Sequence, residues 1–519
     1  MNSLTITQPS TVSQRRVAVH AVHGPRWWNA RRRRKGRTAT AQGEEDPKTI
    51  YEFGDGMAWP GSPSQRLEST QPSTSTSAMQ SVDEECDEDT FTAAMTEINN
   101  SSGKTGSKTA RRFPGSRQRQ PRQQPRFQLP TAHEALDLLR ERLSSGSMPS
   151  QRKDPFKLGL VVEGGGTFSF VSVRSCLVAV AVPLAVADLK SMFLYSLGMR
   201  GCVSGGALQA ISDLGLRDAF DTVYGSSAGA INSTYFLSGQ RQGVDIYHEH
   251  IASTEFIDLK RLLSSKPGTP AALNLEFLLE EVMENVLPLD VDAVLTSPIP
   301  LKVVASSLDS LSPVLLENFE SKYDLIQSLR ASACVPKVAG NPVHHRNHRL
   351  VDAAVFEAVP FRSAIADGCT HAIVLCTRPM SRKRSTFGKV LEATIKRAVL
   401  NPDYMQDAWA ASVEYLTMNG LSHDEMLLRA LEEDAHERYS WFAGAHVLPL
   451  YPDARASTFS PLCTDVETLK LGVAEGRRMI VELVKAADLP VPELPAESFG
   501  LVEDSNIQAF RAKRRLTRK

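Results

Sequence analysis

Apolar and polar positions along the 519-residue chain change texture near residue 156. From there, short apolar runs end in glycine turns and alternate with stretches of helical spacing. Leu158–Val162 is an apolar run that ends in Glu163-Gly164-Gly165-Gly166, the pattern of a buried strand feeding a glycine turn. Ala219–Tyr224 runs into Gly225-Ser226-Ser227-Ala228-Gly229, and Ala230–Leu237 then reads as a helix. Leu301–Ser306 and His371–Thr377 are further strand candidates, and Tyr323–Ala333 is helical in spacing between them. This alternation predicts an α/β fold around a mostly parallel central sheet. Beyond about residue 385 the pattern is mainly helical until Ala445–Leu450, with Glu467–Val484 as the last long helix.

The first 153 residues read differently. Residues 1–43 contain no Asp or Glu but carry nine Lys or Arg, five of them in Arg31–Lys35. A basic, acid-poor, hydroxyl-rich start resembles an organelle transit peptide for a plastid or mitochondrion. The same run also reads as a nuclear signal, an anionic-surface patch, or untargeted disorder. No apolar stretch of the length of a secretory signal follows it. Pro60–Gln80 is rich in Ser, Thr and Pro, Asp83–Asp89 is acidic, and Lys104–Arg126 is basic with Pro and Gln interleaved. Such segments lack the apolar content to offset their ordering entropy, which predicts disorder over 1–153. One exception is a lead-in helix near 132–143, where Ala135, Leu136, Leu138, Leu139 and Leu143 sit at helical spacing.

Composition narrows the classes without naming a chemistry. Lys and Arg number 59 against 59 Asp and Glu, which argues against a partner such as nucleic acid bound through global charge. Seven cysteines, an odd number with no C-x-x-C pair, argue against a disulfide framework or a zinc ribbon and fit an intracellular protein with reduced thiols.

Gly225-Ser226-Ser227-Ala228-Gly229 fits G-x-S-x-G. A serine nucleophile on a sharp strand-to-helix turn needs small neighbours, and Gly225, Ala228 and Gly229 supply them. The helix that follows points its first amides, beginning with Ala228, at the place where oxyanion charge develops. Gly164, Gly165 and Gly166 offer clustered N–H donors for the same purpose, and no G-x-x-x-x-G-K-[ST] spacing makes them a phosphate loop. Leu350-Val351-Asp352-Ala353-Ala354 puts an acid after an apolar pair, which by itself reads as a turn former.

Together these pieces resemble the patatin-like phospholipase family, over roughly residues 156–380 and more weakly to about 485. The resemblance implies a three-layer α/β fold with a catalytic domain at 156–380 and a helical C-terminal extension at 381–510 packed on it, before a basic tail at 511–519. It implies a lipid acyl hydrolase in which Ser227 is the nucleophile and Asp352 the base, paired without histidine, resolving an acyl-enzyme with water. Its oxyanion loop maps onto Gly164, Gly165, Gly166, Arg200 and Gly201, with Ala228 beside them. No metal or organic cofactor and no obligate protein partner is implied. The partner is lipid substrate at a membrane or lipid-droplet surface, met by a membrane-peripheral protein.

Two departures from the family pattern stand out. Ala353 follows the acid where the family usually has glycine, so a positive φ there would strain it. Residues 167–198 interrupt the loop: without them the chain reads E-G-G-G-M-R-G-C-V-S, a continuous family motif. We read this 32-residue, frame-preserving interruption as a retained intron. A GT–AG intron would require Gly166 to be GGT and the Leu197 codon to end in A. The rival reading is a lid or interfacial segment, since Val178–Ala187 is strongly apolar, although Arg174, Pro183, Asp188 and Lys190 break it below spanning length. The interruption is expected to pull the oxyanion loop off geometry and impair the full-length chain.

Two functional alternatives remain. One is an α/β-hydrolase esterase with a Ser-His-acid triad, for which His371, His423, His436 and His446 lie downstream of Ser227. The other is a catalytically impaired lipid-surface module. His344, His345 and His348 cluster with Arg346 and Arg349, which reads as a hairpin before Asp352 rather than a metal site. Arg382–Arg384 reads as a solvated charge run.

Overall fold

Runs that are apolar at every position become strands covered on both faces. The computed structural model describes residues 51–52, 130–165, 198–258, 260–261, 270–380, 403–418, 421–453 and 463–491. The basic start at 1–43, the segment 167–197, Arg382–Arg384 and the tail 511–519 lie outside the described residues.

The strands in chain order are β1 (Tyr51–Glu52), β2 (Leu158–Val162), β3 (Thr222–Ser226), β4 (Leu301–Ser307), β5 (Ser312–Leu316), β6 (Val343–His345), β7 (His348–Val351), β8 (His371–Leu375), the short pair β9 (Thr417–Met418) and β10 (Leu421–Ser422), and β11 (His446–Leu450). Among the described residues, nine of these form one sheet with the path β1-β5-β4-β3-β2-β8-β11 and the β6–β7 hairpin joined through β4. β4, β3, β2, β8 and β11 run parallel, while β5, β7 and β1 add antiparallel pairings at one side. The mostly parallel sheet expected from the alternating pattern is present.

Side chains alternate across the pleat into two cores. Leu158, Leu160 and Val162 of β2 face one core and Val161 the other; Ile373 and Leu375 of β8 divide from Ala372 and Val374 in the same way. The first core is covered by α1 (Glu134–Ser145), α2 (Gly201–Asp213), α3 (Ala228–Leu237), α4 (Lys322–Ala333) and α5 (Val466–Ala486). The second is covered by Phe361–Ala366, His423–Arg429 and Ser440–Phe442. The result is a helix–sheet–helix sandwich. Each fully buried Leu or Val contributes ~1.5–3 kcal/mol relative to exposure.

Two boundaries differ from expectation. The lead-in helix expected near 132–143 is present as α1, with Ala135, Leu136, Leu138 and Leu139 buried in the first core, and the order does not end with it, since residues 146–153 are described and Arg152 is hydrogen-bonded to the Asp218 and Phe220 carbonyls. Arg142 of α1 is 1% exposed, pairs with Asp154 and Asp221 at 2.7 Å each, and donates to the Ala219 and Phe156 carbonyls. Arg152 pairs with Asp221 from the same side at 2.8 Å. Half-buried carboxylates thus hold both arginines, Asp221 from more than 60 residues along the chain. Nor does the sheet stop near residue 380, because β11 pairs in parallel with β8 along His446–Leu450. Helix α5 then closes on α2 through glycine notches: a Cβ on Gly206 would lie 2.1 Å from the Val473 carbonyl oxygen, and one on Gly476 1.9 Å from that of Val203.

The polar cluster around His344–Arg349 is a β-hairpin, with Arg346 and Asn347 both at positive φ (47° and 64°) in its two-residue turn. His345 is turned to Ser328 and Asp324, and His348 to Ser307.

Candidate active site

Parallel strands bring their carboxyl ends to one edge, and there the order reverses around β2, which has β3 on one side and β8 on the other. The Gly164 turn leaves β2 at this edge, and the elbow leaves β3. Ser226 pairs with Val304 of β4, while antiparallel β7 pairs Val351 with Ser306, so the chain returns toward the elbow as it enters Asp352. Residues 125 positions apart meet: the Ser227 hydroxyl donates to Asp352 Oδ2 at 3.0 Å.

Ser227 sits at φ 50°, ψ −124°, in the sparsely populated region that costs a non-glycine residue ~1–3 kcal/mol. Small neighbours make the turn fit. A Cβ on Gly225 would lie 2.5 Å from the Ala230 Cα, and one on Gly229 would lie 2.4 Å from the Val162 carbonyl oxygen. Helix α3 starts at Ala228, and the Ser227 side chain does not cap it because its hydroxyl is turned to Asp352. The first-turn amides of such a helix end have no partner within the helix and carry its positive dipole end, the arrangement that stabilises an oxyanion.

Asp352 is 2% exposed. Burial pushes its carboxyl up from 3.8 to about 6, opposed by hydrogen bonds from the Ala354 N–H (2.8 Å) and the Ser227 hydroxyl. A carboxylate at this value is a stronger base than a solvated one and is still largely ionised at neutral pH. Ala353 is unstrained. It opens a 3-10 turn over Ala353–Val355 and is not among the residues with positive φ, so the glycine usual at this position is dispensable here.

The glycine turn divides in its roles. The Gly164 N–H is engaged by the Ser226 hydroxyl (3.1 Å) and the Ala358 carbonyl (3.4 Å), so it is not an oxyanion donor as expected. Gly164 serves as a close-packing position, since a Cβ there would lie 2.8 Å from the Ser226 carbonyl oxygen and 3.1 Å from the Ser227 Cβ. Gly165 follows it, and Gly166 lies outside the described residues. On the far side of residues 167–197, Gly201 approaches the elbow independently: a Cβ on it would lie 2.8 Å from the Ala228 Cβ and 2.1 Å from the Tyr247 hydroxyl.

A buried polar set holds Gly201 in place. Asn232 of α3 donates to the Gly201 carbonyl (2.8 Å) and to Ser204 (3.2 Å), Tyr247 donates to Asn232 (3.1 Å), and Ser204 reaches back to the Glu163 carbonyl (3.4 Å). The two flanks of the interruption are thus held to the same elbow. Arg200, also expected in the oxyanion loop, ends the short turn Gly198–Arg200 leading into α2. Glu163 anchors the β2 end through Arg378 (2.9 Å), which also pairs with Asp424 (2.7 Å).

The histidines of a triad are not at this site. His371 and His446 begin β8 and β11, the opposite ends of the parallel strands from Ser227, and His436 packs 4.1 Å from the His446 ring. His423 is buried against Phe361, with ring centroids 4.6 Å apart, and burial pushes it down to about 3. Among the described residues, the hydrogen-bond partner of the Ser227 hydroxyl is Asp352. The sequence reading missed Ser226, Ser332, Asn232 and Tyr247. Nothing in the sequence around them marks a role, and each finds its partner only through the fold.

The fold and elbow define the class as a three-layer α/β protein with a serine on a strained strand-to-helix turn. The model of the patatin-like phospholipase family matches residues 198–365, and members of that family generally hydrolyse lipid esters. The match begins at Gly198, the last residue of the interruption, just before the loop resumes at Met199. No curated protein matches the chain.

Proposed function

We propose that the protein is a lipid acyl hydrolase that cleaves carboxylic esters of phospholipids or other acyl lipids through a Ser227–Asp352 dyad. The 3.0 Å contact between the Ser227 hydroxyl and a buried Asp352 carboxylate is the observation that carries this reading. Asp352 accepts the Ser227 proton as Oγ attacks the ester carbonyl. The developing oxyanion faces the Ala228 end of α3 and the Gly165 and Arg200–Gly201 backbone. The proton passes to the leaving alcohol or lysolipid, leaving an acyl-Ser227. Asp352 then deprotonates water, which releases the fatty acid and restores the serine.

Substrate reaches the site from a lipid surface to which the protein binds peripherally. Among the described residues no helix is long and apolar enough to cross a membrane. The interruption at 167–198 lies within the oxyanion loop, so the version lacking it is the more active one.

Hydrolysis of a medium-chain p-nitrophenyl ester and of phospholipid vesicles tests this. It compares the full chain, the Thr167–Gly198 deletion, and each of these with Ser227→Ala. Turnover that vanishes with Ser227 supports the reading. Turnover that survives Ser227→Ala, or silence from all of the folded proteins, rejects it.

A further inference from the structure

We propose that Ser332 is a positioning residue for this hydrolysis, acting through the backbone of the nucleophile. The proposal rests on the reading of Ser227 as nucleophile. Ser332 lies near the end of α4, is fully buried, and is untouched by the chemistry described above. Its hydroxyl accepts the Ser227 N–H at 2.7 Å and donates to the Val304 carbonyl of β4. Both uses of one small side chain are therefore taken, and both lead to the elbow's own neighbourhood.

A residue held at φ 50° keeps that conformation only if its surroundings over-determine it. The Ser227 carbonyl is held by the first turn of α3, where it accepts from the Ala230 and Ile231 amides. On the amino side, the Ser227 N–H is held by Ser332. Without that hydroxyl, the Ser227 N–H and the buried Val304 carbonyl lose a partner together, and the Ser226–Ser227 peptide loses the side-chain contact on its N–H.

The same segment also holds the base. Two residues after Ser332, the Cys334 carbonyl accepts the Asp352 N–H at 2.9 Å. The three residues Ser332–Cys334 thus grip the main chains of nucleophile and acid at once. Their spacing is set by one short piece of backbone, with no direct link between β3 and β7 required. Because β4 supplies Val304, this gauge is itself fixed to the sheet. Small displacements matter at this point, since ~1 Å of misplacement costs on the order of 10²-fold in rate.

The test uses the full-length protein with an alkyl fluorophosphonate, which reports nucleophile attack directly, and ester hydrolysis alongside. Ser332→Ala should label ~10–100-fold more slowly and lose kcat by a similar factor, with KM near wild type and, despite a lowered thermal midpoint, a fully folded protein at the assay temperature. Ser332→Thr, which keeps the hydroxyl, should recover most of the rate. The acid limb of the pH–rate profile should move upward in Ser332→Ala, because the Ser227 hydroxyl no longer stabilises the Asp352 carboxylate. A merely structural serine would leave that limb unmoved.

Wild-type labelling rate in Ser332→Ala overturns the proposal and leaves Ser227 as nucleophile. So does a rate loss that simply follows lost stability while the pH limb stays fixed. If wild type and the Thr167–Gly198 deletion are both as unlabelled and as inactive as their Ser227→Ala variants, the reading of Ser227 falls, and this proposal with it.

Discussion

Replacing Asp352 by Asn should make the protein more stable at neutral pH while removing its activity. The carboxyl is 2% exposed, and burial raises it from 3.8 to about 6. The folded state therefore binds this proton more tightly than the unfolded state. Between those two values the folded protein holds more protons, so stability contributed by Asp352 is fully present below pH 3.8 and is lost as pH rises through about 6. A gap of roughly two pH units corresponds to about 3 kcal/mol at most, spent at pH 8 on keeping a buried carboxylate ionised.

Asn keeps an oxygen for the Ala354 N–H and carries no charge. Asp352→Asn should accordingly gain ~2–3 kcal/mol at pH 8 and almost nothing at pH 4. Turnover should fall ~10²–10⁴-fold for want of a general base. Urea unfolding of both proteins at the two pH values, with ester hydrolysis at pH 8, measures all three quantities. Other titrating groups act on both proteins alike and drop out of the difference. A variant that is less stable at pH 8, or a difference that ignores pH, would refute the reasoning.

Further outcomes are expected elsewhere. His133 and His371 are both pushed down to about 4, chiefly by burial, with the His446 ring 6.5 and 5.0 Å away. Glu134, Asp137, Asp154, Arg142 and His436 are the other charged or titratable groups acting on this cluster. An unfolded chain takes up these protons first, so stability is intact above pH 6.5 and lost toward pH 4. Thermal midpoints across that range should fall, and His371→Asn should flatten the fall by about 2 kcal/mol; an unchanged slope would contradict this. Gly476→Ala puts a Cβ 1.9 Å from the Val203 carbonyl oxygen, and prying α5 from α2 should cost ~1–3 kcal/mol in denaturant unfolding, whereas an unaltered midpoint would mean that the notch is not needed. Deleting Thr167–Gly198 should raise kcat by ~10²-fold by making the Gly165 and Arg200–Gly201 donors one loop, and an equal or lower kcat would make the segment a working part of the site.

Much of this architecture is legible locally. Strands β2 and β8 are apolar at nearly every position because helices cover both faces, and such runs can be read without knowing their neighbours. The G-x-S-x-G turn is legible because crowding at Gly225 and Gly229 leaves little choice of residue. What escapes is what depends on distant partners. Arg142 and Arg152 carry no local signal, since Asp221 reaches both only through the fold. Gly164 reads as an oxyanion donor until the Ser226 hydroxyl takes its N–H. Ala353 reads as strained only if the acid turn needs positive φ, and its 3-10 geometry does not. Ser332 carries no local signal at all, since its role is defined by the Ser227 N–H across 105 residues.

The central claim is that Ser227 is a nucleophile activated by Asp352. Its most direct test is intact-mass and peptide mapping of the full-length chain after treatment with an alkyl fluorophosphonate at pH 8. The account predicts one adduct, on Ser227, absent from Ser227→Ala and formed at least ~10²-fold more slowly in Asp352→Asn. An adduct on another residue, or equal labelling of Ser227 with and without the Asp352 carboxylate, would contradict it.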